Sequence, residues 1–427
     1  MAMSRAIPHA IRRHTPFFVR LSSFLIGSAA AQGMASLTGL LLAHWLPKHD
    51  YAIYTIMTVI MGAMMVLTKG GVNLGYAALV GRDWPDVNKV DAASKLVARV
   101  RRMMSALMLP PICIVSGLLL FQNGAQPVQI AALLGLLLLS WFFDMQTRVV
   151  DLVLYYAKQT TRVQMLDTGL NGVRLVGTAA LHAVNALGVV ASVMVSVLIS
   201  AMRVVPIKRW IARLVPPSAA NQPPETDYML VRSTALRQVP TEIFSVFQTQ
   251  IMLFILSFFA GSGSVADYGA LTRIGQLLGP VQTMSYAFLI PVFAGYKDHI
   301  VRHFVRISLL CAIPALLLVV ASWLVPDLVL LLIGAKYASL QGPLLIAMIN
   351  AALYSSLAIS WNLLAHRGFN HFAWLQIPVG LGWCLVAPLF LNISRLSDAL
   401  WLQAGFSLGY LVSIIADIIA AKRRGDI

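Results

Sequence analysis

The stretch RLSSFLIGSAAAQGMASLTGLLLAHWL, from Arg20 to Leu46, contains no Lys, Arg, Asp or Glu after its first residue. A helix needs about 20 predominantly apolar residues to cross the hydrocarbon core of a bilayer. A cleaved signal peptide is the competing interpretation, because Arg12 and Arg13 precede the stretch and small residues occur at 29–31. The apolar run continues well past those small residues to Leu46, which favours a retained membrane span.

The composition of the whole chain is that of a membrane protein. Of its 427 residues, 59% are hydrophobic and only 11% are charged, whereas soluble domains carry about 25% charged residues. Runs long enough to cross a bilayer as helices follow one another along the chain. We therefore predict an all-α polytopic membrane protein with twelve transmembrane helices, at about 20–46, 51–80, 103–121, 128–143, 163–181, 186–205, 236–260, 268–296, 304–325, 342–365, 373–391 and 398–420.

The positive charges indicate how these helices are oriented. The chain contains 32 Lys and Arg residues against 16 Asp and Glu residues, and cationic loops stay in the cytoplasm. With twelve spans, only Lys48, Lys336 and Arg395 fall in loops on the side opposite the N-terminus. We therefore predict that both termini are cytoplasmic. The excess charge then reflects topology and contact with anionic membrane lipids, and we expect no binding to nucleic acid.

A polar segment divides the predicted spans into two sets of six. Residues 206–233 contain several prolines together with Asn, Gln and charged residues, which is typical of a linker. We predict an N-lobe at 1–205, a cytoplasmic linker at 206–233 and a C-lobe at 234–427.

The two predicted lobes are also similar to each other in sequence. At one constant offset, matching pairs in the first two spans of each lobe include Tyr51 with Tyr268, Thr55 with Thr272 and Gly62 with Gly279. A parallel repeat of this kind would place a substrate site between the lobes, near the middle of the membrane. Chance similarity between two sets of amphipathic segments is the alternative.

Three sets of motifs are more specific than the repeat. They are LAHWLPKHDYAIY at 42–54, DYG at 267–269 followed by LIP at 289–291, and LIGAKY at 332–337 followed by GPLL at 342–345. In these motifs and in its twelve predicted spans, the chain resembles the polysaccharide and O-antigen flippases of the multidrug/oligosaccharidyl-lipid/polysaccharide superfamily, which has the MATE-like fold.

The resemblance implies a V-shaped bundle of two six-helix lobes. It also implies a function: moving a polyprenyl-diphosphate-linked oligosaccharide from the inner to the outer leaflet of a bacterial inner membrane, for polysaccharide biosynthesis. A polysaccharide polymerase and glycosyltransferases are then candidate partners. One position departs from the family pattern, since members often have an acidic or small polar residue near Lys69.

Three cations, Lys69, Arg174 and Arg273, fall inside predicted spans and are the main candidates for substrate binding. A cation at the centre of a span costs about 2.5–3.5 kcal/mol on insertion scales, so each should face a wet cavity or a partner. Ammonium and guanidinium groups suit a pyrophosphate, and Arg can bind it bidentately. We predict that the three cations line a central cavity and attract the diphosphate and acidic sugars of the lipid carrier.

Each of these cations also has a purely structural interpretation. Lys69 precedes Gly70 and Gly71, where the helix can bend and expose the side chain to water. Arg174 follows a possible partner, Asp167, by two helical turns. Arg273 can reach the outer interface or pair with Asp267.

Glu242 is the candidate for coupling to protons or sodium ions, because carboxylates buried in a membrane commonly have this role. Pairing with Arg237, about one turn away, is the alternative. Asp144, Asp167 and Asp417 are further candidates, and most of these acidic residues lie near predicted cytoplasmic ends. Asp144 and Asp151 are predicted to form a ladder with Arg148 on a fourth helix that continues to about residue 159.

Nothing in the sequence predicts an enzyme, a cofactor or a metal site. The chain lacks a convincing nucleophile set, paired loop carboxylates or a phosphate-binding glycine loop. Its cysteines occur singly, at 113, 311 and 384, in apolar runs. The rival functions are a multidrug/cation antiporter of the same fold, whose first helix would need a carboxylate that 21–46 lacks, and a non-transporting scaffold for polysaccharide synthesis.

Overall fold

The computed structural model describes residues 9–424 apart from residues 70, 85, 148, 158, 217–224, 286–288, 297, 368 and 370. No strand occurs in these described residues. The helices of the first half are α1 His9–Trp45, α2 Lys48–Lys69, α3 Val72–Asp83, α4 Val87–Gln122, α5 Pro127–Met145, α6 Leu152–Tyr156, α7 Thr160–Ala183 and α8 Val189–Leu214.

The second half is helical as well, with more interruptions. Its helices are α9 Glu225–Phe259, α10 Gly261–Gly275, α11 Gly279–Met284, α12 Ile290–Gly295, α13 Ile300–Leu324, α14 Pro326–Leu331, α15 Gln341–Ala365, α16 Gln376–Val386, α17 Leu396–Gly405 and α18 Ser407–Arg424. Short 3-10 turns flank several of them, as at Ala335–Leu340 before α15.

The all-α membrane fold predicted from the sequence is confirmed. Within the described residues, 8 helical segments are long and apolar enough to cross a membrane. They correspond to the second, third, fourth, sixth, seventh, ninth, tenth and twelfth predicted spans. The fifth and eighth spans contain Arg174 and Arg273, and such polar residues lower the mean hydropathy of a helix. The total of twelve spans and the sidedness of the termini stay predictions.

Some helix boundaries differ from the predicted ones. The second predicted span is divided in the structure, since α2 ends at Lys69 and α3 begins at Val72. The predicted extension of the fourth helix to residue 159 is wrong, because α5 ends at Met145 and the chain turns before the short α6. Asp144 and Asp151 therefore do not form a ladder on one helix face.

Most described residues of the predicted linker 206–233 are helical. Helix α8 continues through Pro206 to Leu214, and α9 begins at Glu225. The first half of α9 packs against α3 and α4, and Val231 is fully buried there. At the same end of α9, Arg82 of α3 donates hydrogen bonds to both carboxylate oxygens of Asp227, with distances of 3.1 and 3.0 Å. This segment thus ties the start of the second half to the first half.

The two halves share one large apolar core around α2 and α10. This core includes residues of both halves, such as Tyr54 and Met57 of α2 and Leu271 and Ile274 of α10. The two helices approach closely where Gly269 faces Thr55, since a methyl group on that glycine would lie 2.5 Å from Thr55 Oγ1. The halves are therefore in direct contact beside any central site.

Two lysines join the halves at the predicted outer end of α2. Lys48 Nζ lies 2.9 Å from Asp267 Oδ1 of α10. Lys336 Nζ donates to the backbone carbonyls of His44, at 3.2 Å, and of Leu46, at the C-terminus of α1. A cation is favoured there because the last carbonyls of a helix carry partial negative charge.

A buried arginine near the predicted cytoplasmic end of the sixth span joins three elements of the first half. Arg203 of α8 is only 4% exposed. Its Nη2 donates to Asp151 at 3.0 Å, and its Nε donates to Asp167 of α7 at 2.8 Å. Asp167 is therefore occupied by Arg203, and the predicted pairing of Asp167 with Arg174 is wrong.

Candidate substrate cavity

A cavity of about 650 Å³ lies between the two halves. Its walls come from α1, α2 and α7 of the first half and from α9, α10, α11, α15, α17 and α18 of the second half. Among the described residues, no Asp, Glu, Lys or His lines it, whereas Arg174 and Arg273 do. The wall of the cavity is therefore formally cationic.

Arg174 reaches the cavity from α7. Its Nη2 donates a hydrogen bond of 3.1 Å to the hydroxyl oxygen of Tyr54. Tyr54, on α2, is 1% exposed, so its hydroxyl is held in place by the core around it. The guanidinium is thus anchored at one edge while the side chain stays partly exposed to the cavity.

Arg273 reaches the same place from α10. Its Nη2 donates to Thr58 Oγ1 at 3.2 Å and its Nη1 donates to Gln276 Oε1 at 3.1 Å. The guanidinium carbon lies 6.0 Å from the centre of the Tyr54 ring, within cation–π range. The predicted alternative of pairing with Asp267 is wrong, because Lys48 takes that carboxylate. Tyr54 therefore contacts both arginines, one from each half.

The side chain of Arg273 packs closely against helix α1 of the first half. A methyl group placed on Gly39 of α1 would lie 2.9 Å from Arg273 Cδ, so glycine leaves the room that this side chain occupies. The position of the guanidinium thus depends on α1 and α2 as well as on its own helix.

Lys69 and Glu242 are not brought to this cavity. Lys69 is the last residue of α2, partly exposed, and is not among the described lining residues. Glu242 of α9 is also partly exposed and lies within the electrostatic influence of Lys69. The side chain of Arg237, the predicted alternative partner, lies outside the described residues. The four predicted site residues therefore form two groups, Arg174 with Arg273 and Lys69 with Glu242.

The sequence analysis missed most of the neutral polar lining. Side-chain amides enter the cavity from five helices of both halves and from no single motif. The signal that could have found them is their occurrence inside predicted apolar spans, where polar side chains are uncommon. They are Gln32, Gln248, Gln250, Gln276, Gln282, Asn350 and Gln403.

Three aromatic residues of the predicted spans, Trp141, Trp361 and Tyr286, are chemically able to stack on sugar rings, but interfacial anchoring or core packing is the commoner role of such side chains. Trp141 Nε1 donates to Ser105 at 3.0 Å, and Trp361 packs edge-on against Tyr410. A third, Tyr286, lies outside the described residues. The described lining contains Tyr268 and Tyr354 instead.

Residues matched by the internal repeat converge on the cavity. Thr55 and its counterpart Thr272 both line it, and so do Gly62 and Gly279. This placement supports the interpretation of the two halves as related units that meet around a central site. No group of three or more His, Cys, Asp or Glu side chains that could hold a metal ion occurs in the described part of the chain.

Helices from both halves of the chain thus surround one polar cavity, an arrangement that many membrane transporters share. Comparisons with solved structures agree. The fold is similar to an inward-facing multidrug resistance MATE family transporter of the MOP superfamily, with a TM-score of 0.69 and 15% identity, covering 95% of this chain and 97% of that one. It is equally similar to the lipid II flippase MurJ in an inward closed conformation, with a TM-score of 0.68 and 12% identity, covering 93% of this chain and 87% of that one.

A MATE structure in the straight conformation matches with a TM-score of 0.58 and 16% identity, covering 95% of each chain. No protein-family model matches the sequence, and neither does any curated protein. The chain is thus a multi-pass membrane protein with a MATE-like fold, which transporters of drugs and a flippase of a lipid-linked precursor share.

Proposed function

We propose that this protein flips a polyprenyl-diphosphate-linked oligosaccharide from the inner to the outer leaflet of a bacterial inner membrane, by alternating access. The observation that carries the proposal is the meeting of Arg174 and Arg273, one from each half, at Tyr54 in a cavity whose described lining has no carboxylate. The oligosaccharide would pass through the cavity while the polyprenyl tail stays in lipid.

The chemistry of the two arginines fits a diphosphate. Guanidinium groups offer planar pairs of N–H donors that bind phosphate oxygens bidentately. Arg174 and Arg273 each bond a protein oxygen through part of the guanidinium group, which leaves further N–H donors for a ligand. Because the arginines belong to different halves, one diphosphate can contact both, so binding is sensitive to the relative position of the halves.

An antiporter of organic cations is the competing function, since it is compatible with the fold. Its substrate would have to enter a cavity with two fixed guanidinium groups and no carboxylate among the described lining residues. Like charges in a medium of low dielectric constant repel strongly. The charge of the cavity therefore favours an anionic substrate over an amine.

The decisive experiment measures leaflet exchange of a labelled polyprenyl-diphosphate oligosaccharide in proteoliposomes. We expect wild-type protein to exchange the lipid, and the double variant Arg174→Gln with Arg273→Gln to lose at least about tenfold in rate, which corresponds to about 1.4 kcal/mol. Arg209→Gln is the matched control, because it removes an exposed cation of α8 outside the described cavity lining. Full activity of the double variant, or export of organic cations by wild-type protein without lipid exchange, would reject the proposal.

We further propose that Glu242 couples transport to a proton or sodium gradient. Support comes from its position on α9 two residues after Pro240, which lacks the N–H for a backbone hydrogen bond within the helix, and from the nearby charge of Lys69 at the end of α2. The interaction joins the two halves and would change with the protonation of Glu242. Glu242→Gln should abolish the dependence of exchange on the gradient, while Asp417→Asn, at a buried acid of α18, should keep it. Unchanged gradient dependence in the Glu242 variant would exclude this role.

A further inference from the structure

We infer that the sugars next to the diphosphate are uncharged, so that this cavity selects neutral, hydroxyl-rich or acetamido sugars over acidic ones. The inference rests on the proposed flippase function and specifies its substrate. It follows from the charge of the cavity and from the side-chain amides that form the remaining polar surface.

The charges of the cavity are balanced by the diphosphate alone. A diphosphate esterified at both ends carries one negative charge on each phosphate at neutral pH. Arg174 and Arg273 supply one positive charge each, and the described lining contains no other charged side chain. Lys69, which the sequence analysis expected to add a third cation, does not line the cavity and interacts with Glu242. A uronic acid beside the diphosphate would therefore lack a cationic partner.

The remaining polar wall suits hydroxyl and acetamido groups. Gln248 and Gln250 of α9 and Gln282 of α11 line the cavity, and none of the three bonds another residue in the described part of the chain. The Oε1 of Gln403 on α17 is buried and makes no hydrogen bond of normal geometry among the described residues, although the hydroxyl of Tyr268 lies close to this side chain. Each side-chain amide both donates and accepts hydrogen bonds, as sugar hydroxyls do.

Not every amide is available to a ligand. Gln32 donates to Thr283 and Gln276 accepts from Arg273, so these two mainly hold the walls together. The amides that remain lie on α9, α11, α15 and α17, all in the second half. The two kinds of binding group are thus distributed differently. The arginines that would bind phosphate lie on both halves, whereas the amides available to bind sugars lie on the second half.

The size of the cavity limits the inference to the first sugars. Its volume of about 650 Å³ lies within the range of about 300–1,000 Å³ for pockets that enclose drug-sized ligands. Only a short oligosaccharide, or the proximal part of a longer one, fits inside. Charged sugars farther along a chain would remain outside this selection.

The test compares three labelled lipids in proteoliposomes: a polyprenyl diphosphate without sugar, one with a neutral disaccharide, and one with the same disaccharide in which a hexuronic acid replaces the first hexose. We expect wild-type protein to exchange the neutral lipid at least about tenfold faster than the acidic one. A cation added to the wall by Gln403→Lys, or by Gln250→Lys on another helix, should raise exchange of the acidic lipid several-fold.

Uncharged variants at the same positions, Gln403→Met and Gln250→Met, serve as matched controls. They should slow the neutral disaccharide lipid without speeding the acidic one, and they should leave the sugar-free lipid unaffected. Equal exchange of the neutral and acidic lipids by wild-type protein would overturn the inference and leave the flippase function standing. Absence of exchange for all three lipids would instead reject the proposed function.

Discussion

Tyr54 is the residue on which the geometry of the cavity depends most. It is almost fully buried, yet its hydroxyl accepts a hydrogen bond from Arg174 and its ring lies beneath Arg273. A hydrogen bond to a charged group contributes about 1.5–3 kcal/mol when it is formed in the interior. Tyr54 therefore positions the arginines without carrying charge itself.

We predict that Tyr54→Phe slows exchange of the diphosphate lipid several-fold and lowers the free energy of unfolding by about 1–2 kcal/mol, because Arg174 loses its anchoring oxygen. Leaflet exchange and thermal unfolding in detergent measure the two effects. Tyr76→Phe is the matched control, since Tyr76 is also buried and its hydroxyl bonds Ser94 at 2.7 Å far from the cavity lining. It should lose similar stability but keep its transport rate; equal transport losses in both variants would contradict a positioning role.

Arg203 shows how a single buried charge can hold several elements together. It bonds Asp151 before α6 and Asp167 on α7 from its own place on α8. Removing one partner of a buried ion pair leaves the others desolvated and unpaired, which costs about 3–5 kcal/mol.

We predict that Arg203→Leu destabilises the protein by about 3 kcal/mol or more, whereas Arg209→Leu, on the exposed side of the same helix, changes stability by less than about 0.5 kcal/mol. Thermal unfolding in one detergent compares the two variants directly. A small effect of Arg203→Leu would show that water, rather than Arg203, compensates the two carboxylates.

Among the helices, α2 and α10 form the central contact between the halves. Gly269 of α10 meets Thr55 of α2 so closely that a side chain has no room. Small residues at such crossings let helix backbones approach within a membrane, where packing rather than hydrophobicity drives association. The cavity opens beside this contact, so the distance between the two helices also sets the distance between Arg273 and Tyr54.

We predict that Gly269→Ala lowers the free energy of unfolding by about 1–3 kcal/mol, because the added methyl group would overlap Thr55. Adding Thr55→Ala should recover much of this loss, since it removes the two nearest side-chain atoms. Gly263→Ala, on the same helix with open space around it, should be nearly neutral. Additive losses in the double variant would mean that the two residues do not meet.

The helices also show which local patterns were reliable. The apolar runs behind α5 and α13 were predicted to within a few residues, whereas α4 begins 16 residues before the predicted start at residue 103. The turn after Met145 was not predicted. The spacing of Asp144, Arg148 and Asp151 fits one face of a continuous helix, but the same spacing is also compatible with a chain that leaves the helix. The breaks after Gly275 were missed too, since no charged residue occurs between Arg273 and Lys297 to mark the end of a helix.

In the molecule as a whole, two lysines join the halves at the predicted outer end, where there are few other charged residues. Lys48 pairs with Asp267, and Lys336 binds the C-terminal carbonyls of α1. The proposed alternating access would require both contacts to break before the cavity opens at this end.

We predict that Asp267→Asn favours opening at the predicted outer end. With the native cysteines replaced, a cysteine at the cavity residue Ser36 should react severalfold faster with a membrane-impermeant thiol reagent added outside. Asp398→Asn is the control, because Asp398 accepts from Asn392 within the second half. Swapping the charges of Lys48 and Asp267 should restore slow labelling. Equal labelling of the Asp267 and Asp398 variants would exclude the ion pair as a barrier.

The amino-acid order alone sufficed for the membrane class, most helix positions and the two arginines of the cavity. Lipid imposes length and polarity on each helix separately, so these properties can be read locally. The partners of each charge could not be read in this way. Asp167 bonds Arg203 instead of Arg174, Asp267 bonds Lys48 instead of Arg273, and Lys69 lies outside the cavity. Those pairings depend on which helix faces meet, and that follows from packing among residues distant in sequence.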